Sequence, residues 1–112
     1  MAASGALKSI YFDYDRAEIR PDARPQLRAN ADMIKKHGDW GTVTIEGHCD
    51  ERGSEEYNLA LGDRRANRVK AYLADLGVSS SRLRTVSFGE ARPAVPGHSE
   101  AAWRYNRRSE FK

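Results

Sequence analysis

Hydrophobic positions along this chain switch between a period of two and a period near 3.6. Ser9 to Phe12 is a β-branched and aromatic run that stops at the polar Asp13-Tyr14-Asp15, which predicts a strand followed by a loop. Beyond Pro21, Asp22 and Pro25, the residues Leu27, Ala31 and Ile34 recur at spacings of four and three until Gly38, the mark of a helix with one apolar stripe. Thr42 to Glu46 alternates Val43 and Ile45 with polar neighbours, a half-buried strand that opens onto the polar loop Gly47-His48-Cys49-Asp50-Glu51-Arg52-Gly53. Ser54 is placed to cap a second helix, with Glu55 and Glu56 set against its dipole; Ala66, Val69, Leu73 and Leu76 then run to Gly77. Leu83 to Phe88 alternates as a third strand, Gly89 to Gly97 reads as a loop, His98 to Asn106 as a short helix and Arg107 to Lys112 as a last strand. The order β-α-β-α-β(-α)-β predicts an α/β sandwich of the α+β class, its helices packed on one mixed sheet.

Placing the second helix on a wheel at about 100° per residue exposes an anomaly. With Val69 as reference, Arg64, Arg68 and Lys70 fall outside the apolar face, but Arg65 lies roughly 40° from it, on the core side, with Asn58 and Gly62 along the same flank. An inward guanidinium requires an anion. One reading is a structural ion pair with Asp50, at the mouth of the preceding loop. The other is a shared pocket in which Asp50 takes an ammonium and Arg65 a carboxylate, while Gly62 leaves room and Asn58 adds an amide. That arrangement suits a zwitterionic amino-acid head group.

Composition narrows the classes. The 112 residues, 39% hydrophobic and 31% charged, are sized for one domain. No stretch approaches the ~20 consecutive apolar residues of a spanning helix, and residues 1–5 have neither the basic nor the apolar region of an export signal. The net charge is +3 with the signs interleaved. Arg104, Arg107 and Arg108 beside Trp103 and Tyr105 are the one basic and aromatic cluster, too small a face for nucleic acid, which is not an expected partner. Cys49 is the single cysteine, so no intrachain disulfide forms, and it reads as a small packed thiol. His48, Cys49 and Asp50 are adjacent on an extended segment and cannot face one ion, so neither a metal nor another cofactor is expected. Nucleophile-elbow, phosphate-loop and dinucleotide fingerprints are absent, and the expectation is a binding domain without catalysis.

The run Gly47-His48-Cys49-Asp50-Glu51-Arg52-Gly53, followed by Tyr57-Asn58, Leu61-Gly62 and Arg64-Arg65-Ala66-Asn67, resembles the OmpA-like peptidoglycan-binding domains, most narrowly their lipoprotein branch in the Tol-Pal system. Tyr11-Phe12-Asp13, Val86-Ser87-Phe88-Gly89, Arg92-Pro93 and Asn106-Arg107-Arg108 extend the match from about Ser9 to Lys112. The resemblance implies non-covalent binding of the diaminopimelate in peptidoglycan stem peptides, tethering the outer membrane to the wall. By position it carries the key aspartate to Asp50 and the key arginine to Arg65; Asn58, Leu61, Asp13, Arg107 and Arg108 complete the implied binding set. It implies TolB and other Tol proteins as partners, a periplasmic location, and a lipid anchor on a segment ahead of this domain. On this reading residues 1–8 are a flexible linker remnant and 9–112 the domain. A protein-interaction module with TolB as its main ligand is the alternative.

Overall fold

The computed structural model describes residues 5–112. Half of the 1–8 segment, residues 1–4, lies outside the described residues. The other half is tied to the domain: the Lys8 N–H donates to Asn30 Oδ1 at 3.0 Å, Asn30 Nδ2 donates back to the Lys8 carbonyl at 2.9 Å, and Leu7 packs on the core.

The chain builds β1 (Ile10–Tyr11), α1 (Arg24–Lys36), β2 (Val43–His48), α2 (Glu55–Asp75), β3 (Leu83–Gly89), α3 (Glu100–Asn106) and β4 (Arg108–Phe111). The strands lie side by side in the order β1-β4-β2-β3, with β2 and β3 parallel and β4 antiparallel to both its neighbours. This is the expected mixed sheet with three helices. Ser54 caps α2, its Oγ accepting the Tyr57 N–H at 3.0 Å. Ile10, Phe12, Leu27, Ile34, Val43, Ile45, Val69, Leu73 and Phe111 form one buried cluster between helices and sheet. Removing that apolar surface from water drives the packing.

Most strand and helix boundaries shift by a residue or two from the sequence reading, and two of the shifts are at β2 and α3. β2 runs two residues beyond Glu46, through Gly47 and His48, because β4 supplies Ser109 and Arg108 as ladder partners that no local pattern announces. α3 begins at Glu100 rather than His98.

One contact positions everything that follows. A Cβ built on Gly47 would lie 1.7 Å from the Gly62 carbonyl oxygen, and one on Gly62 would lie 2.3 Å from Ser87 Oγ. Backbone therefore touches backbone where α2 crosses β2. The crossing lowers α2 onto the sheet, so that Asn58 and Arg65, a turn to either side of Gly62, are carried inward.

Candidate functional site

β1 and β2 both oppose β4 and so run in the same direction. The loops leaving their C-terminal ends meet beside the first turns of α2, the edge at which open α/β sheets ordinarily take ligands. A cavity of about 140 Å³ lies there, lined by Tyr14, Asp15, Cys49, Asp50, Arg52, Gly53, Tyr57, Asn58, Leu61 and Arg65.

Arg65 is 1% exposed, the largest fully buried side chain. Its partners are backbone carbonyls. Nε donates to Arg16 O at 2.8 Å, Nη1 to His48 O at 2.9 Å and Nη2 to Asp13 O at 3.1 Å. Among the described residues no ion pair joins it to Asp50, which corrects the structural-pair reading: Asp50 has found another arginine. Burial holds the Arg65 pKa below the usual guanidinium value, yet three carbonyl dipoles surround the cation and replace its hydration. The same bonds shape the loop after β1, where Asp15 adopts the left-handed conformation at φ 56° and accepts a hydrogen bond from the Tyr57 hydroxyl.

Asp50 is likewise buried. Its Oδ1 accepts from the Arg52 backbone N–H at 3.0 Å and from Arg52 Nε at 3.3 Å, its Oδ2 accepts from Arg52 Nη2 at 2.9 Å, and Arg107 Nη1 stands 3.7 Å away. The bond to Asp50 raises the Arg52 pKa. The Arg52 guanidinium is sandwiched between two rings, 3.7 Å from the Tyr14 centroid and 4.0 Å from that of Trp103. Arg107 is fixed more deeply, donating to the Phe12 carbonyl at 2.9 Å and to both Glu100 oxygens at 3.0 and 2.9 Å. This pairing lowers the Glu100 pKa.

The other expected residues divide. Asn58 lines the cavity, donating to Glu90 Oε1 at 2.6 Å, and its carbonyl accepts the Cys49 thiol at 3.2 Å. Leu61 supplies an apolar wall. Asp13 enters through its carbonyl, while its carboxylate is exposed and pairs with Arg20 at 3.5 Å. Arg108 stands apart, bonded to Glu110, Asn106 O and Arg92 O. Sequence reasoning passed over Tyr14, Asp15, Arg52 and Tyr57. Arg52 had one available signal, the spacing of two from Asp50 that lets an aspartate accept its neighbour's N–H in a turn.

A second polar cluster occupies the β2-β4 pair, where Glu46 faces Glu110 and His48 faces Arg108. Ligand-capable atoms of Glu46, His48 and Glu110 lie within 4.8 Å of one another. His48 Nε2 contacts Glu46 Oε1 at 3.0 Å and Arg108 holds Glu110, so each of these acids already has a partner. Among the described residues His48 Nδ1 is buried without one, and burial, with Arg108 nearby, lowers the His48 pKa.

Sheet order, helix crossing and cavity together define a small α/β sandwich domain with a charged recess at the C-terminal edge of its parallel strands. The chain belongs to the OmpA family, whose pattern matches residues 11–107. It is 46% identical over 111 residues to the peptidoglycan-associated lipoprotein of Pseudomonas aeruginosa, the match covering 99% of this chain and 65% of that protein. The chain thus spans slightly less than two thirds of that relative. The solved peptidoglycan-associated lipoprotein of Burkholderia pseudomallei superposes with a TM-score of 0.89 at 40% identity, over 95% of this chain and 89% of that one. The C-terminal domain of Helicobacter pylori MotB shares the fold, with a TM-score of 0.87 at 23% identity over 95% and 83% of the two chains.

Proposed function

We propose that this domain binds peptidoglycan non-covalently, taking the free zwitterionic end of a stem-peptide diaminopimelate into the cavity, and so ties the outer membrane to the wall from the periplasm. The observation that carries the proposal is the meeting of the buried Asp50 carboxylate and the buried Arg65 guanidinium in one recess of about 140 Å³. That volume corresponds to roughly four or five water molecules, the scale of an amino-acid head group. Asp50 takes the ammonium. Arg65 has five N–H groups and three are spent on carbonyls, so one on Nη1 and one on Nη2 remain for the carboxylate. Asn58 adds its amide and Leu61 meets the methylene chain. Asp13 and Arg107 act one step back, the first by receiving Arg65 and the second by standing behind Asp50. The names of the relatives, peptidoglycan-associated lipoproteins, support the reading. Binding without catalysis fits the single thiol: burial pushes Cys49 up to about 11, so it is protonated at neutral pH.

Calorimetric titration of the domain with a diaminopimelate muropeptide, its lysine counterpart and its amidated form tests this. Saturable binding is expected only to the first, because the other two lack the charged carboxylate, and it is expected to vanish in Asp50→Asn. Failure of the folded domain to bind the first ligand would refute the reading.

Tyr14 and Tyr57, both exposed and both lining the cavity, favour a second partner at the same end. We assign this rim to TolB, with other Tol proteins and a lipid anchor belonging to the longer protein. A muropeptide that displaces TolB supports the shared surface. TolB binding unaffected by muropeptide places it elsewhere, and TolB binding with no muropeptide binding promotes the interaction-module reading.

A further inference from the structure

We infer that Arg52 is the specificity-determining residue of this cavity: in the resting domain its guanidinium stands in for a ligand's ammonium on Asp50, and it leaves when that ammonium enters. The inference rests on the reading of the cavity as a zwitterion site and adds what guards it. The Asp50 side chain is 5% exposed, and a buried carboxylate without a cation is strongly unfavourable, so an empty site needs a resident one. Arg52 supplies the hydrogen-bonded one through Nε and Nη2, while Arg107 Nη1 stands farther off at 3.7 Å.

Three arginines border the site, and their surroundings differ. Arg65 and Arg107 are buried and fixed in place, Arg65 by three backbone carbonyls and Arg107 by the Phe12 carbonyl and Glu100. The Arg52 side chain is 28% exposed, and among the described residues its guanidinium touches no backbone acceptor and has, besides Asp50, only the faces of Tyr14 and Trp103, with Glu100 Oε1 3.7 Å from Nη2. The Glu100 carboxylate beside Arg52 is exposed. It offers the guanidinium a second seat once that leaves both Asp50 and the Trp103 face. The Arg52 backbone N–H stays on Asp50 Oδ1 throughout, because that bond belongs to the turn and not to the side chain.

Selectivity follows. A ligand with a carboxylate and no ammonium finds Asp50 already covered. One with an ammonium and no carboxylate exchanges one cation for another and gains nothing from Arg65. Only a ligand carrying both converts the exchange into net binding. If the resident guanidinium covers Asp50 for about 80–95% of the time, apparent affinity is reduced roughly five- to twentyfold relative to the open site.

The test is the diaminopimelate muropeptide titrated against the wild type and Arg52→Gln, with Trp103 emission followed in a Trp40→Phe background. Arg52→Gln is expected to bind about five- to twentyfold more tightly, and the emission change on binding, caused by the cation leaving the Trp103 face, is expected to disappear in it. Weaker or unchanged binding by folded Arg52→Gln, while the wild type binds, overturns the inference and leaves the zwitterion reading standing. Loss of binding by both overturns both. Saturable wild-type binding with no Trp103 response also overturns the inference, and that measurement does not depend on the variant folding.

Discussion

Arg65→Ala separates a ligand-gripping arginine from one that also builds its own site. The substitution strips donors from three carbonyls. Those of Asp13 and Arg16 belong to a surface loop that water can reach, so each contributes near the lower end of the ~1–3 kcal/mol cost of an orphaned buried acceptor. The His48 carbonyl is buried between β2 and α2 and contributes near the upper end. The sum is roughly 4–5 kcal/mol, against the roughly 5–15 kcal/mol total stability of a domain of this size. With a urea dependence of about 1.5 kcal/mol per molar, the unfolding midpoint should fall by roughly 3 M at unchanged slope. Arg65→Lys keeps the charge but reaches fewer carbonyls, and should fall about half as far. Urea unfolding followed by far-UV circular dichroism reads both. A midpoint shift below about 0.5 M for Arg65→Ala would refute the argument that the guanidinium holds the loop after β1. Loss of binding and loss of stability are thus expected together, because the same atoms perform both tasks.

Gly47→Ala should destabilise by more than the ~1–3 kcal/mol of ordinary overpacking, since its Cβ meets the Gly62 carbonyl and not a movable side chain; urea unfolding measures it. Burial keeps the His48 pKa below its ordinary 6.5, so the unfolded chain takes up a proton that the folded one refuses. The His48 contribution is therefore complete above pH 6.5 and is lost as pH falls from there through the lower folded value. Stability measured between about pH 7 and 5 should decline, and His48→Gln should flatten that slope whatever it does to the absolute level. Cys49, pushed up to about 11 by burial, should react with a thiol reagent at about pH 8 roughly a hundredfold more slowly than a free cysteine, and at the free rate in urea.

Much of the architecture was legible because it follows from short-range patterns. Leu27, Ala31 and Ile34 fall on one face of any helix that contains them, and Val43 and Ile45 on one face of any strand. The inward position of Arg65, with Asn58 and Gly62 beside it, follows from the same helical geometry, and all three are buried. What Arg65 touches does not follow. Its acceptors are carbonyls from residues 13, 16 and 48, and backbone carbonyls are identical in every sequence, so no pattern of side chains announces them.

The extra length of β2 and the pairing of Asp50 have the same origin. Gly47 and His48 form strand because β4, sixty residues further on, supplies the matching hydrogen bonds. The sequence reading paired Asp50 with Arg65 alone, but the turn after β2 set Arg52 beside it while α2 set Arg65 against the backbone. Local periodicity determined which residues face inward. Only the tertiary fold decided which inward groups meet, because a charge or a carbonyl finds its partner by distance in space, and that distance is created when α2 comes to rest on β2 at Gly47 and Gly62.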